Sequence, residues 1–246
     1  MNKQAANVIE LLEYFGERQQ PATLADIARH FGWPRSSTFK LLGTLKARGY
    51  LYEPVPKAGY YPAPLLAEHV NRIEQAQPVS SDLRTLLEEL AVITGETVVL
   101  AAASDSHAVF VATVESPHSV RYAAPVGKRV PLYATATGRA LLSQMKASTR
   151  QALLRKTNFE AYTEITPMSA AEVEEDIRVS LERGWFHGNA SFTPDLGGVA
   201  VALPLQGRCF ALLVAGPMYR VNPQLEQLAK TLMEHAGAYL KKKGLG

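Results

Sequence analysis

Several things are scarce in this sequence, and each shortage removes a class of function. There is one cysteine, Cys209, so no disulfide can close within the chain and a cysteine metal cluster is disfavoured. No run of about 18 apolar residues occurs, so no transmembrane helix is expected. The opening stretch, MNKQAANVIELLEYFGE, has acids at Glu10, Glu13 and Glu17 and no apolar signal core, which makes a cytoplasmic location the expectation. The histidines, at 30, 69, 107, 118, 187 and 235, show neither HxH nor HExxH spacing. No GxSxG elbow, P-loop or GxGxxG follows a strand-like run. The expectation is therefore no enzyme, no cofactor and no metal. His187 and Cys209 read as a structural histidine and a small buried thiol.

A more local absence is informative. No acid occurs from Arg35 to Arg48. The stretch around it, TLADIARHFGWPRSSTFKLLGTLKAR (residues 23–48), reads as two helices joined by a tight turn. Thr23 is an N-cap with Asp26 three residues on, an Asp variant of the capping box. Leu24, Ile27, Ala28 and Phe31 recur at helical spacing. Gly32 suits the left-handed position that ends a helix, and Pro34 suits the first turn of the next. Thr38, Leu41, Leu42 and Leu45 form the inward stripe of that second helix. Its outer face carries Ser36, Lys40, Gly43 and Ala47, with Arg35 and Phe39 on one flank and Ser37 and Thr44 on the other. Hydroxyls near a helix N-terminus, together with Arg and Lys, suit phosphates and base edges in a DNA major groove. The same composition also suits the solvated face of a small helical bundle. The net charge of only +3 does not decide between them, but the clustering of Arg35, Lys40, Lys46 and Arg48 favours DNA.

The chain is 246 residues long and 47% hydrophobic, enough for one or two cored domains. Ala5, Val8, Ile9, Leu12 and Phe15 mark a first helix over residues 5–15. Past Gly49, Tyr50–Tyr52 and Tyr60–Tyr61 read as a strand pair around the turn EPVPKAG. Three helices and a hairpin make a winged helix-turn-helix over residues 4–64. Lys57, at the hairpin tip, reads equally as a DNA contact or a solvated turn residue. Residues 65–78 are a linker helix whose stripe of Leu66, Val70 and Ile73 suits a dimer seam or packing between domains. His69 reads as a surface residue.

From residue 79 to 246 a second domain is expected. A helix spans 81–94, and strands span Thr97–Ala103, Ala108–Val114 and Val120–Val126. Short helices follow over 137–145 and 148–156. Ser169 with Glu172 reads as a capping box for a helix ending at Gly184. Val199–Leu205 and Phe210–Ala215 are two more strands, and Pro223 opens a last helix. Strands on either side of a helical insert predict an α+β domain with an antiparallel sheet. Within it GKRVPLYATATGR (127–139) gathers Thr135, Thr137 and Gly138 before a helix. A helix N-terminus offers N–H donors to a carboxylate, although on its own the pattern is an ordinary N-cap.

In order along the chain, GWPRSSTFKLLGTLKARGYL, YLYEPVPKAGYYPAP, the linker helix, VGKRVPLYATATGRALL, ERGW and strand-GP resemble the IclR family of bacterial transcription regulators over nearly the whole length. The resemblance implies a winged helix-turn-helix and a GAF-like effector domain, with homodimers or tetramers on palindromic operator DNA. It also implies a small organic acid or aromatic effector that shifts DNA affinity, with catabolic genes as targets. Thr23, Arg35, Ser36, Ser37, Thr38, Lys40, Thr44, Lys46 and Lys57 are then the candidate DNA contacts. The effector positions that match are Ala136, Thr137, Leu196, Gly198, Leu213 and Ala215, with Gly188 at a position that is acidic in some relatives. Arg121, Tyr122, Tyr133, His187 and Asn189 are candidates to orient a head group. Relatives that take very small keto acids are more polar at several of these positions. The Leu, Ala and Gly lining here favours a larger, flatter ligand. The rival expectation is a ligand sensor that acts through protein partners.

Overall fold

A computed structural model describes residues 2–56, 58–75, 79–205 and 207–245. The chain divides into two compact units, residues 1–78 and 79–246.

In the first unit, helices α1 (Lys3–Arg18), α2 (Leu24–Phe31) and α3 (Arg35–Ala47) precede a hairpin of β1 (Leu51–Tyr52) and β2 (Tyr61–Pro62), then α4 (Pro64–Gln75). Leu11, Tyr14 and Phe15 of α1, Ile27 of α2, Leu42 of α3 and Leu51 of β1 close a small core. The Thr23–Asp26 capping box is present in full, with the Thr23 side chain accepting from Asp26 N–H and Asp26 accepting from Thr23 N–H. Gly32 ends α2 with φ at 66°. Pro34 differs from expectation: it sits at the N-cap of α3, extended at ψ 133°, one residue outside the helix. The hairpin registers Tyr52 against Tyr61, and an isolated bridge adds Ala22 to Tyr60. Lys57 lies outside the described residues. On α4, Val70 and Ile73 are exposed.

The second unit consists of α5 (Ser81–Thr94), β3 (Thr97–Ser104), β4 (His107–Val114), β5 (Arg129–Pro131), α6 (Ala136–Ser143), α7 (Ala147–Lys156), α8 (Ala170–Arg183), β6 (Phe186–Asn189), β7 (Leu196–Leu205), β8 (Arg208–Pro217), α9 (Met218–Val221) and α10 (Leu225–Lys242). Six strands form one antiparallel sheet in the order β5-β4-β3-β8-β7-β6. Both faces are covered. Val99, Ala101, Phe110, Ala200 and Leu213 face α6 and α8, while Val98, Leu100, Val199, Leu212 and Val214 face α5 and α10. That double burial explains why TVVLAAA and GVAVAL show no polar alternation.

Four expectations are corrected. Residues 120–126 are not a strand but an irregular loop, preceded by Pro117 and containing Pro125. Its backbone is held by single contacts, such as Thr97 Oγ1 donating to Tyr122 O at 2.8 Å, and the edge strand is β5 instead. Phe186–Asn189, where no strand is expected from the sequence, is the other edge strand. Pro223 lies in a 3₁₀ turn before α10, where its missing N–H costs nothing. Ser169 caps α8, but Glu172 accepts from Met168 N–H rather than closing the capping box.

Candidate DNA-reading helix and effector cavity

Within the first unit, α3 is an exposed basic helix with an open N-terminus. Pro34 makes no side-chain capping bond, and Thr38 N–H is the first to reach back, to Pro34 O at 3.0 Å. The N–H groups of Arg35, Ser36 and Ser37 therefore face solvent at the positive end of the helix dipole, where an anion binds well. The side chains of Arg35, Ser36, Ser37 and Lys40 are exposed and make no hydrogen bond or ion pair among the described residues.

Four other candidates are already engaged. Thr38 is 1% exposed and donates to Pro34 O, so it belongs to the core side of the helix. Thr23 spends its hydroxyl on Asp26, whose carboxyl is held below its usual range chiefly by that bond. Lys46 Nζ sits 2.9 Å from Glu53 Oε2, which raises its pKa and offsets its charge. Thr44 donates to Lys40 O along the helix but stays exposed. The candidate reading face thus narrows to the first turn and a half of α3.

Within the second unit, a cavity of about 50 Å³ lies between the sheet and the start of α6. Its floor is Phe110, Val130, Leu213 and Ala215, and Leu196, Gly197 and Gly198 form a side. The turn from Ala134 to Thr137 forms one end, while Tyr122 and Ala190–Thr193 close over it. Of the effector candidates, Tyr122, Ala136, Thr137, Gly188, Leu196, Gly198, Leu213 and Ala215 line this space.

The end wall is built by backbone packing. A Cβ on Gly138 would come within 2.2 Å of Leu132 O, so only glycine lets α6 start this close to the preceding turn. Thr135 caps α6: its hydroxyl accepts from Gly138 N–H and donates to Pro131 O, each at 3.0 Å. The N–H groups of Ala136 and Thr137 are left without a partner in the helix. Thr137 is 2% exposed, and its hydroxyl makes no hydrogen bond among the described residues. The wall therefore presents two N–H donors and a hydroxyl to a space that is otherwise mostly apolar. Gly198 has a structural reason too, because a Cβ there would meet Val214 O at 2.6 Å.

Four candidates lie elsewhere. His187 and Asn189 alternate with Gly188 along β6 and so face the other side of the sheet. The His187 ring packs edge-on to Trp185, centroids 5.8 Å apart. Burial, then the Arg183 and Arg139 charges, lowers the His187 pKa. Arg121 pairs with Glu115 at 2.7 Å on the exposed loop. The Tyr133 hydroxyl is saturated, donating to Glu160 O and accepting from Glu160 N–H, which anchors the loop after α7. Its ring meets Phe159, and Tyr162 links it to the cavity residue Phe192. Tyr122 keeps its place in the wall, its phenol pushed up to about 12 by burial.

Arg139 went unnoticed in the sequence. It is 1% exposed, with Nε 3.0 Å from Asp176 Oδ2 and Nη2 donating to His187 O at 2.9 Å. A further bond to Tyr133 O completes a brace joining α6, α8 and β6 behind the cavity. An arginine on the first turn of an amphipathic helix gives no sequence signal that it is buried. Its carboxylate partner lies 37 positions away in sequence.

The comparisons with known proteins agree with this geometry. The family model for the bacterial transcriptional regulator IclR C-terminal domain matches residues 73–239, and that for the IclR helix-turn-helix domain matches residues 4–54. Transcriptional repressor IclR of Escherichia coli is 27% identical over 219 residues, 87% of this chain and 80% of that protein. The HTH-type transcriptional repressor AllR of the same species is 25% identical over 217 residues, with 87% and 80% covered. Among solved structures, Thermotoga maritima IclR superposes with a TM-score of 0.76 at 18% identity, covering 98% of this chain and 99% of that one. An IclR homolog from Microbacterium hydrocarbonoxydans, solved with 4-hydroxybenzoate, gives 0.71 at 20% identity and covers 95% and 96%. The matched curated proteins are regulators, not enzymes. With two family models spanning its two units, the chain belongs to the IclR family of DNA-binding transcription regulators.

Proposed function

We propose that this regulator binds operator DNA through Arg35, Ser36, Ser37 and Lys40 of α3, and that a small aromatic or other organic carboxylate in the α6 cavity modulates that binding, with catabolic genes as targets. The observation that supports the effector reading is the cavity-lining Thr137, 2% exposed, whose hydroxyl makes no hydrogen bond among the described residues, beside two free N–H groups. A carboxylate satisfies all three, and the dipole of α6 favours its charge. Phe110, Leu196, Leu213 and Ala215 offer the ring apolar surface, worth roughly 25 cal/mol per Å² buried. The 4-hydroxybenzoate of the Microbacterium homolog belongs to this class.

At about 50 Å³ the cavity admits the head of such a ligand; the ring requires Tyr122 and Phe192, on irregular loops, to move outward. Ligand binding then shifts operator affinity only by its preference for one arrangement of the protein, typically 1–3 kcal/mol of coupling. The test pairs a thermal-shift screen of aromatic and aliphatic carboxylates with Thr137→Val. The variant keeps the shape, so it should bind operator without effector as the wild type does. Its sensitivity to the carboxylate should fall about tenfold through the lost hydrogen bond. An unchanged response would move the site elsewhere in the domain.

We further propose a homodimer through α4, since a palindromic operator requires two-fold symmetry in the protein. Val70 and Ile73, 54% and 61% exposed, are its anchors. Val70→Asp with Ile73→Asp should lower the sedimentation mass and operator affinity together. A wild-type monomer at working concentration would refute the proposal.

A further inference from the structure

Phe39 is 63% exposed on α3, one turn after Arg35 and one turn before Gly43. Tyr14, Phe15, His30, Phe31, Trp33 and Tyr61 of the unit form edge or stacked pairs, while Tyr52, 42% exposed, joins none. The Phe39 ring joins none of those pairs and faces water, which is unfavourable for an apolar surface of that size. Gly43 adds a second observation. A Cβ built there meets nothing within 4 Å, so no packing inside the described protein calls for glycine. Glycine in a helix interior is destabilising relative to alanine. Residues four apart lie side by side on a helix surface, so the bare backbone at Gly43 is a notch beside the ring.

We propose that Phe39 and the notch at Gly43 take the 5-methyl group of a thymine in the major groove, a reading that rests on the DNA binding assigned above. Arg35 and Lys40 flank Phe39 and carry the charge that holds this helix against phosphates. An apolar group so placed meets base edges, and thymine alone among the four bases offers an apolar group there. The pair therefore reads a base by shape, where Ser36 and Ser37 read by hydrogen bonds.

The experiment selects operator duplexes from random sequence with the full-length protein. Each thymine of a half-site is then replaced by deoxyuridine, which lacks only the methyl group. One replacement should weaken wild-type binding about fourfold, the loss of one buried methyl-sized group at about 0.8 kcal/mol. Phe39→Ala should bind the thymine and deoxyuridine duplexes equally, with unfolding unchanged because the ring is exposed. Gly43→Ala should unfold at a higher temperature than wild type yet bind the thymine duplex less well, an outcome that a purely structural role would not give. Wild-type binding that is specific but insensitive to every replacement overturns the proposal while leaving DNA binding intact. So does thymine preference that survives Phe39→Ala. If no duplex is selected at all, the DNA-binding assignment fails, and this proposal fails with it.

Discussion

The two units treat their polar side chains in opposite ways. On α3 the first turn and a half presents Arg35, Ser36, Ser37 and Lys40 to solvent with no internal partner. Around the α6 cavity most polar groups are bonded inside the domain. Arg139 is spent on Asp176 and two carbonyls, Thr135 on its cap, Ser191 on Ala134 O and Tyr133 on Glu160. Thr137 differs from these: the residue is 2% exposed, and its hydroxyl makes no hydrogen bond among the described residues. A surface that reads a long polyanion gains from many presented donors on a rigid element. A cavity that recognises one small molecule gains from few, because each unmatched buried donor costs about 1–3 kcal/mol. The difference is that between a surface finished by its partner and a pocket almost finished by itself.

The sharpest way to break this comparison is to strip the presented set. Replacing Arg35, Ser36 and Lys40 together by alanine should weaken operator binding at least about a hundredfold, at about 1–3 kcal/mol for each good contact. It should also flatten the salt dependence by about 0.9 in log–log slope for each phosphate that is no longer neutralised. Unfolding should not change, since these side chains are exposed. Gel-shift titrations over a salt series check both, and unchanged affinity would sink the assignment.

The internally bonded set should behave in the reverse manner. Asp176→Ala leaves the Arg139 cation buried without its carboxylate. Removing one partner of a fully buried pair costs about 3–5 kcal/mol. Since the Asp176 side chain is 36% exposed, about 2–3 kcal/mol is expected here in urea unfolding. Arg29→Ala in the first unit breaks a pair in which Arg29 is 78% exposed, and should change stability by under about 0.5 kcal/mol. Equal losses from the two variants would erase the distinction.

The smallest effect belongs to His187. Burial and two nearby arginines lower its pKa in the folded protein below the ordinary 6.5. Near and below pH 6.5 the unfolded chain therefore binds a proton that the folded chain does not. Stability should be full above that value and decline as the pH falls from 6.5 toward the lowered folded value. His187→Gln should show a smaller decline over the same interval in denaturant midpoints. An identical pH profile would assign the decline to other groups.

How legible each unit was follows the same division. The first unit is specified by local signals: a cap at Thr23, a left-handed glycine at 32, a proline at 34 and stripes with a 3.6-residue period. These lie within about 25 residues of one another, and the predicted helices overlap the observed ones closely. Thr38 shows the limit, because its hydroxyl suited a DNA contact while its place on the inward stripe put it in the core. In the second unit, β3, β4, β7 and β8 were legible from their apolar β-branched runs. The loop at 120–126 was not, because VRYAAPV has strand-like composition and only its neighbours in space leave it unpaired. β6 was missed because FHGN has neither length nor alternation and is a strand only by lying against Phe186's partner Ala200. For the same reason the structure places His187 and Asn189 away from the cavity. Once that edge strand exists, alternation puts them on the face away from Gly188.

The strand order has a consequence for how the chain comes into being. β3 is flanked by β4, which follows it at once, and by β8, which begins at Arg208 and is made more than a hundred residues later. While the polypeptide grows, the TVVLAAAS segment has one free backbone edge and two apolar faces, and the strand that covers that edge does not yet exist. The first unit, by contrast, draws its core from residues 11–51 and can close early. Contacts of long sequence separation form slowly, and an unpaired apolar edge is the part of a nascent chain most prone to join another. Synthesis of this regulator therefore passes through an interval in which a finished DNA-reading head trails an open half-sheet, and chaperone demand should rise there and end once β8 is released.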